Sequence, residues 1–306
     1  MKEGEMLKIT VPGSTANLGP GFDSIGLALG KYLTLEVKRA DQIHFIPMTE
    51  HVKGTPANED NLIAKVAIGV ATKHDKQLPA CEVKVWSDLP MARGIGSSAA
   101  AIIAGIELAN QLCNLQLSNE EKLRIASTEE GHPDNVGASL YGGLVVGLHQ
   151  EDQTQVVSVK NIDVDTVVII PKYEVLTSSA RNVLPESLEY KTAVEASAIS
   201  NMLVAGLFTN DWKLVGEMMN KDLFHQPYRS SLIPEINVVQ EKIHDLGAYG
   251  SALSGAGPTI ICFIEKGKGD YLAEKLASEF SNYDVERLDI DVEGCKVEQV
   301  QEVKNL

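Results

Sequence analysis

Apolar and polar residues alternate strictly over 81–86 (C-E-V-K-V-W), the period-two pattern of a strand with one buried face. The same pattern predicts a short strand at 8–11, a longer one over 25–37 and a further candidate at 41–47. Helical spacing takes over at 62–73, where Leu62, Ile63, Val66 and Val70 fall on one face. An alanine-rich run from Ser97 to Ala109 predicts a second helix, and Ser118 with Glu121 forms a capping box that starts a third, running to about Glu130. Strands follow at 144–148, 156–159 and 166–171, the last rich enough in β-branched residues to be central in a sheet. Beyond them 190–207 reads as a helix, Asp211 caps another (W-K-L-V-G-E-M-M-N), and Gly247 ends one over 236–246. Strand, glycine loop and strand occupy 248–264, and a helix at 269–280 and a strand at 285–290 complete the pattern. This order predicts an α+β second half. A chain of 306 residues is comfortable for two domains, and the polar stretch 150–154 divides it into units at 1–153 and 154–306.

Charge narrows the partners. The formal net charge of −15 argues against nucleic acid and against an anionic membrane surface. An anionic substrate must then be held by local groups against the overall field. Cys81, Cys113, Cys262 and Cys295 lie far apart with no C-x-x-C pair, so the thiols of a cytoplasmic protein are expected, not a disulfide framework or a zinc site. Residues 1–8 lack the apolar core of a secretory leader, and no apolar run reaches the length of a membrane span.

The chemistry gathers in loops. Between the strand at 81–86 and the helix from Ser97 lies L-P-M-A-R-G-I-G-S-S-A-A-A, residues 89–101. Glycines let backbone N–H groups turn toward one point, and the helix start adds unpaired donors and the positive end of its dipole. The hydroxyls of Ser97 and Ser98 can cap that helix or reach a phosphate-bound Mg²⁺. Phosphate binding and plain tight helix packing both suit these residues. The stretch lacks the Gly-Lys-Ser/Thr of a Walker A loop and the third-glycine spacing of a dinucleotide fingerprint. Residues 12–23, P-G-S-T-A-N-L-G-P-G-F-D, make a loop of tightly specified backbone that carries Asn17 and Asp23. Around G-H-P-D-N-V-G-A-S-L-Y-G-G, residues 131–143, Glu130, His132, Asp134 and Asn135 fall within six positions.

These stretches carry a family resemblance. P-M-A-R-G-I-G-S-S-A-A resembles the P-x-x-x-G-L-G-S-S-A-A loop of the GHMP kinases, with Ile95 where Leu or Met is usual. Residues 12–23 resemble the first motif of that family in its homoserine-phosphorylating members, P-A-S-S-A-N-L-G-P-G-F-D, and S-G-A-G-P-T within 248–264 resembles the third motif. H-P-D-N, T-S-S-A-R-N-V-L-P (177–185) and H-Q-P-Y-R-S-S-L-I-P match further stretches of the same members. Two departures are a shorter spacing after Glu130 and a Gln following His225. The resemblance covers nearly the whole chain.

It implies an α+β, two-domain fold: an N-terminal ribosomal-S5-like α/β domain that binds ATP and a C-terminal ferredoxin-like α/β sandwich. It implies a kinase that moves a phosphoryl group from ATP to the side-chain hydroxyl of L-homoserine, in threonine biosynthesis. Met91, Ala92, Arg93, Gly94, Ile95, Gly96, Ser97, Ser98, Ala99, Ala100 and Ala101 would hold the phosphates, and Asn61 and Leu62 would wrap the adenine. Ser98 and Glu130 would be the protein ligands of Mg²⁺. Asn17, Asp23, His132, Thr177, Arg181 and Arg229 would hold the acceptor, Asp23 at its ammonium and the two arginines at its carboxylate, which suits their planar forks. Asp134 and Asn135 would be the catalytic pair, with His132 and Asn135 near the reacting hydroxyl and either Asp134 or Asn135 facing it; Asp134 can accept its proton, an amide cannot, and the γ-phosphate is the other possible acceptor. A homodimer is also implied. Two rivals stand beside this reading. A kinase for mevalonate would waste Asp23, and one for sugars would need no pair of arginines. A nucleotide-binding regulator without catalysis is opposed by the presence of Ser98, Glu130, Asp134 and Asn135.

Overall fold

The computed structural model describes residues 5–301, so residues 1–4 of the polar start lie outside the described residues. Strand β1 (Glu5–Ala16) pairs antiparallel with β2 (Ile25–Arg39), and the register shifts between Pro12 and Gly13. That irregularity corrects the sequence reading. Pro12 to Ala16 belong to the strand and not to a loop, because a bulge accommodates the proline that ordinary ladder pairing would reject. Strands β3 (His44–Pro47) and β4 (Cys81–Ser87) extend the sheet beyond β2. In β4 the predicted alternation appears as strictly alternating burial. Helices α1 (Leu62–Lys73) and α2 (Ser97–Leu112) pack on each other and share the core with Ile9, Val11, Leu35 and Val83. Each fully buried aliphatic side chain of this kind contributes about 1.5–3 kcal/mol. Helix α3 (Asn119–Glu130) starts at the expected capping box, with Ser118 and Glu121 bonded reciprocally. A short helix α4 (Asp134–Tyr141), unpredicted, lies against β1 and β2.

Strands β5 (Leu144–His149) and β6 (Thr154–Val159) form a hairpin that joins the same sheet through β2. The second sheet is antiparallel, in the order β10 (Asp284–Leu288), β7 (Asp165–Ile170), β9 (Ile260–Ile264), β8 (Gly250–Leu253). Strand β7 is buried along its whole length: Val168 and Ile170 face one apolar core, Val167 and Ile169 another. The first of these cores also holds Leu18, Ile25, Leu27 and Leu29, so it joins the two sheets. The last strand, β11 (Lys296–Gln301), returns to pair with β1. The expected division between 153 and 154 falls at the turn of the β5–β6 hairpin, where Gln150 N–H donates to the Gln153 carbonyl. By sheet membership the first unit runs to Val159 and regains 296–301 at the end of the chain.

Helix α5 (Thr177–Asn182) follows β7; then come α6 (Tyr190–Thr209) and α7 (Trp212–Met219), the latter capped by Asp211 through Leu214 N–H as predicted. Helix α6 corrects the expectation that no apolar run reaches membrane length: by length and composition alone it is long and apolar enough to cross one. Its own residues are mostly alanine and aliphatic ones, and only Ala196, Leu203, Gly206 and Leu207 are buried. Helices α8 (Gln226–Arg229), α9 (Glu235–Ile243) and α10 (Gly269–Glu279) complete the second unit. All four cysteines are free thiols.

Candidate active site

The phosphate-loop candidate lies between β4 and α2. Ala92, Gly94 and Gly96 all have left-handed backbones, at φ 52°, 79° and 74°. Gly96 is the N-cap of α2 and offers no side-chain cap, so neither Ser97 nor Ser98 caps the helix. The first N–H groups of α2 and its positive dipole end are thus turned to the cleft, an arrangement suited to an anion. Two neighbours fix the loop. A Cβ on Gly96 would lie 2.3 Å from Ser14 Oγ, and one on Gly94 would lie 2.3 Å from the Ser254 carbonyl oxygen. Ser254 Oγ donates to the Gly94 carbonyl, and Thr259 N–H to the Arg93 carbonyl, so the third glycine-rich stretch packs on this loop. The Arg93 guanidinium turns away to the Lys172 carbonyl and Glu174, which makes it an anchor of the loop. Ile95 is 1% exposed and belongs to the core, along with Ala100. Met91 is exposed, and neither Met91 nor Ala101 lines the cleft. Asn61 and Leu62 are not brought to this cleft either. Asn61 is the N-cap of α1, accepting from Ile63 N–H and donating to the Pro56 carbonyl.

The same cleft is lined by Ser98, Glu130, His132, Asp134, Asn135, Asn17, Asp23, Thr177, Arg181 and Arg229. Ser98 Oγ donates to Glu130 Oε2 at 3.4 Å across the gap between the start of α2 and the end of α3. Burial holds the Glu130 carboxyl above its ordinary pKa, against the opposing pull of His132. The start of α4 carries the next groups. Asp134 Oδ1 accepts from Asn135 N–H at 2.6 Å and is 2.5 Å from His132 Nδ1. Burial works against a charged His132, but the Asp134 bond and charge outweigh it and raise its pKa. The Asn135 amide donates to Ser14 Oγ at 3.0 Å, tying α4 to the strand that also backs Gly96.

On the opposite wall the loop after β1 is held by Asn17. Its Oδ1 accepts from Asp23 N–H and its Nδ2 donates to the Gly255 carbonyl, both at 3.0 Å. Both ends of that amide are thus engaged, so Asn17, itself in the cleft lining, holds this wall in place. Asp23 takes Arg181 in a bidentate pair, at 2.9 and 3.0 Å. Arg229 is 2% exposed, donating from Nε to the Ala180 carbonyl and from Nη1 to the Gly255 carbonyl and His225 Nδ1. Burial, followed by the Arg181 charge, lowers its pKa to about 10, so it stays protonated near neutral pH. Two supporting residues escaped the sequence reading. Phe22 has both guanidinium groups over its ring, Arg181 at 5.7 Å and Arg229 at 5.2 Å, and its ring stacks on that of His225. Their signals were an aromatic residue inside G-P-G-F-D and a histidine one turn before Arg229.

A helix start suited to an anion and an arginine-carboxylate wall facing one cleft are the arrangement a small-molecule kinase needs. The sequence comparisons agree. The description "GHMP kinases N terminal domain" matches residues 61–143 and "GHMP kinases C terminal" matches 203–282. The chain belongs to the GHMP kinase family. Within it, a homoserine kinase from Bacillus licheniformis is 61% identical over 300 residues, covering 98% of each chain. One from Bacillus velezensis is 56% identical over 309 residues and covers 100% of both. Among solved structures, homoserine kinase from Cytophaga hutchinsonii superposes with a TM-score of 0.85 at 28% identity, over 97% of this chain and 98% of that one.

Proposed function

We propose that this chain is an ATP-dependent kinase that phosphorylates the side-chain hydroxyl of L-homoserine, giving O-phospho-L-homoserine and ADP, in threonine biosynthesis. The observation that carries the reading is the pairing within one cleft of an uncapped helix start with Asp23, Arg181 and Arg229. The first suits phosphates; the second set suits an ammonium and a carboxylate. Turnover measured with Mg-ATP against homoserine, mevalonate and a sugar tests it: homoserine is the expected acceptor, and a preference for either other compound overturns the reading. ATP as donor and free thiols suit a cytoplasmic enzyme.

Mg²⁺ fits the residues present. Ser98 Oγ and Glu130 Oε2 are hard oxygen donors beside the phosphate loop, the kind this ion takes together with substrate phosphates. Among the described residues Asp23, His132 and Asp134 also gather, but Arg181 and His132 already balance those carboxylates. When bound, the cation would neutralise charge on the transferring group. Ser98→Ala and Glu130→Gln are each expected to lower turnover, with partial recovery as Mg²⁺ is raised. Wild-type rates in both at limiting Mg²⁺ would remove the assignment.

Asp134 and Asn135 stand nearest the reacting hydroxyl in this reading. Asp134 is 1% exposed and its Oδ1 already serves His132 and the Asn135 amide, which suits an anchor better than a base. The alcohol proton then passes to a phosphate oxygen, because a loose phosphoryl-transfer transition state gains little from early deprotonation. Asp134→Asn is expected to lower kcat less than about a hundredfold and to keep the acidic limb of the pH–rate profile. A larger loss with that limb gone, in a variant folded by circular dichroism, would restore Asp134 as the base.

We also propose a homodimer through α6, whose exposed Tyr190, Val194 and Met202 accompany only two charges, Lys191 and Glu195. In a chain of net charge −15 a face with one charge of each sign repels a second copy little. A monomer in sedimentation velocity at micromolar concentration would overturn it.

A further inference from the structure

The residues assigned to opposite ends of the acceptor hold each other. Asp23 and Arg181 form a two-bond ion pair, with side chains 35% and 40% exposed at the cleft. They are 158 positions apart and reach the cleft from different units of the fold. Asp23 is fixed: its backbone is left-handed at φ 54° and its N–H is bound by Asn17. Arg229 is fixed by its three hydrogen bonds. Arg181, on the exposed last turn of α5, is the partner with room to move.

We propose that this ion pair selects for zwitterions: an acceptor enters by exchange, its ammonium replacing Arg181 on Asp23 while its carboxylate takes the released Arg181. The inference rests on the homoserine reading and adds to it what the pair does to every other ligand. A compound with a carboxylate alone takes Arg181 and strips Asp23 of its two arginine hydrogen bonds, in a cleft that also holds Glu130 and Asp134. A compound with an amine alone takes Asp23 and leaves Arg181 sharing the Phe22 ring with Arg229, two cations with no anion between them. A zwitterion leaves neither group bare. Each unmatched charge weakens binding by roughly tenfold or more, the worth of a charge-assisted hydrogen bond. The pair is thus a double check that neither residue makes alone.

Calorimetric titration of the full chain tests this with three probes: L-homoserine, 4-hydroxybutyrate (carboxylate only) and 3-aminopropan-1-ol (amine only). In the wild type, homoserine is expected to bind at least about tenfold more tightly than either truncated compound. The variants are expected to cross over. Asp23→Asn frees Arg181 and gains at least about tenfold for 4-hydroxybutyrate; Arg181→Gln frees Asp23 and gains similarly for 3-aminopropan-1-ol; both lose affinity for homoserine. Glu130→Gln removes an equal charge from the cleft without touching Arg181, and no gain for 4-hydroxybutyrate is expected there. If neither variant gains for its single-charge compound, or if Glu130→Gln gains as much as Asp23→Asn, the exchange is overturned while the homoserine reading stands. If the wild type fails to bind homoserine, the reading itself falls.

Discussion

Gly96→Ala is expected to lower kcat/KM for ATP by about a hundredfold or more, the scale of loss that a displacement near 1 Å produces in an aligned site. The backbone there is left-handed at φ 74°, which costs an alanine about 1–2 kcal/mol. The larger effect is steric. The added Cβ would meet Ser14 Oγ at 2.3 Å and Ser14 N at 2.7 Å. Ser14 cannot yield freely, because its N–H is bound to the Ile95 carbonyl and its hydroxyl accepts from the Asn135 amide. The push therefore reaches the phosphate cradle and the start of α4 together. Gly247→Ala is the control: it has the same left-handed backbone, at φ 78°, with nothing within 4 Å of its Cβ. That variant should lose a few degrees of melting temperature and keep its turnover. Steady-state kinetics with thermal melts separate the two, and a Gly96→Ala enzyme within tenfold of wild type would mean that the loop does not hold the phosphates.

Local patterns were legible in the sequence where one force dominates. Helix α1 starts and ends where its apolar spacing does, and the capping box of α3 forms as written, because both depend on residues three or four positions apart. The strand, glycine loop and helix around Gly96 follow from the same local logic. Helix α4 was hidden because D-N-V-G-A-S-L-Y carries a glycine and no apolar stripe; what holds it is burial against β1 and β2. Asn61 caps the start of α1 through its amide, a local role that the same N-L-I stretch also suits. The polar residues at 150–154 mark a hairpin turn as readily as a linker, and in the fold they form the turn between β5 and β6. Positioning residues were the least legible. That Asn17 bonds Gly255, or that Phe22 lies beneath two guanidinium groups, depends on contacts between residues some two hundred positions apart.

Those long-range contacts decide the second large effect, which falls on Arg229. Arg229→Leu is expected to raise KM for homoserine about a hundredfold while KM for ATP stays within about threefold, since a lost charge-assisted bond reaches about 3 kcal/mol. The magnitude follows from how little freedom the guanidinium has. Three hydrogen bonds fix its plane, and the ring of Phe22 lies 5.2 Å from it. His225 supplies one of those bonds as an acceptor. Burial, only partly offset by the Asp222 charge, pulls its pKa down to about 4, so near neutral pH it is uncharged. With Nδ1 accepting from Arg229, its proton sits on Nε2 and faces the Gly19 carbonyl. An arginine held in this way presents its charge to a carboxylate with little further ordering cost. Arg181→Leu should cost less, roughly tenfold, because that side chain is 40% exposed and must first leave Asp23. Arg229→Lys should recover little, as a single ammonium cannot meet the Ala180 carbonyl, the Gly255 carbonyl and His225 from one plane. Removing the guanidinium also takes the donor from the Ala180 carbonyl and His225 Nδ1 and leaves the Gly255 carbonyl with Asn17 alone, so the melting temperature should fall, and kinetics belong well below it. A homoserine KM unchanged in both Arg229→Leu and Arg181→Leu would remove the carboxylate from this wall of the cleft.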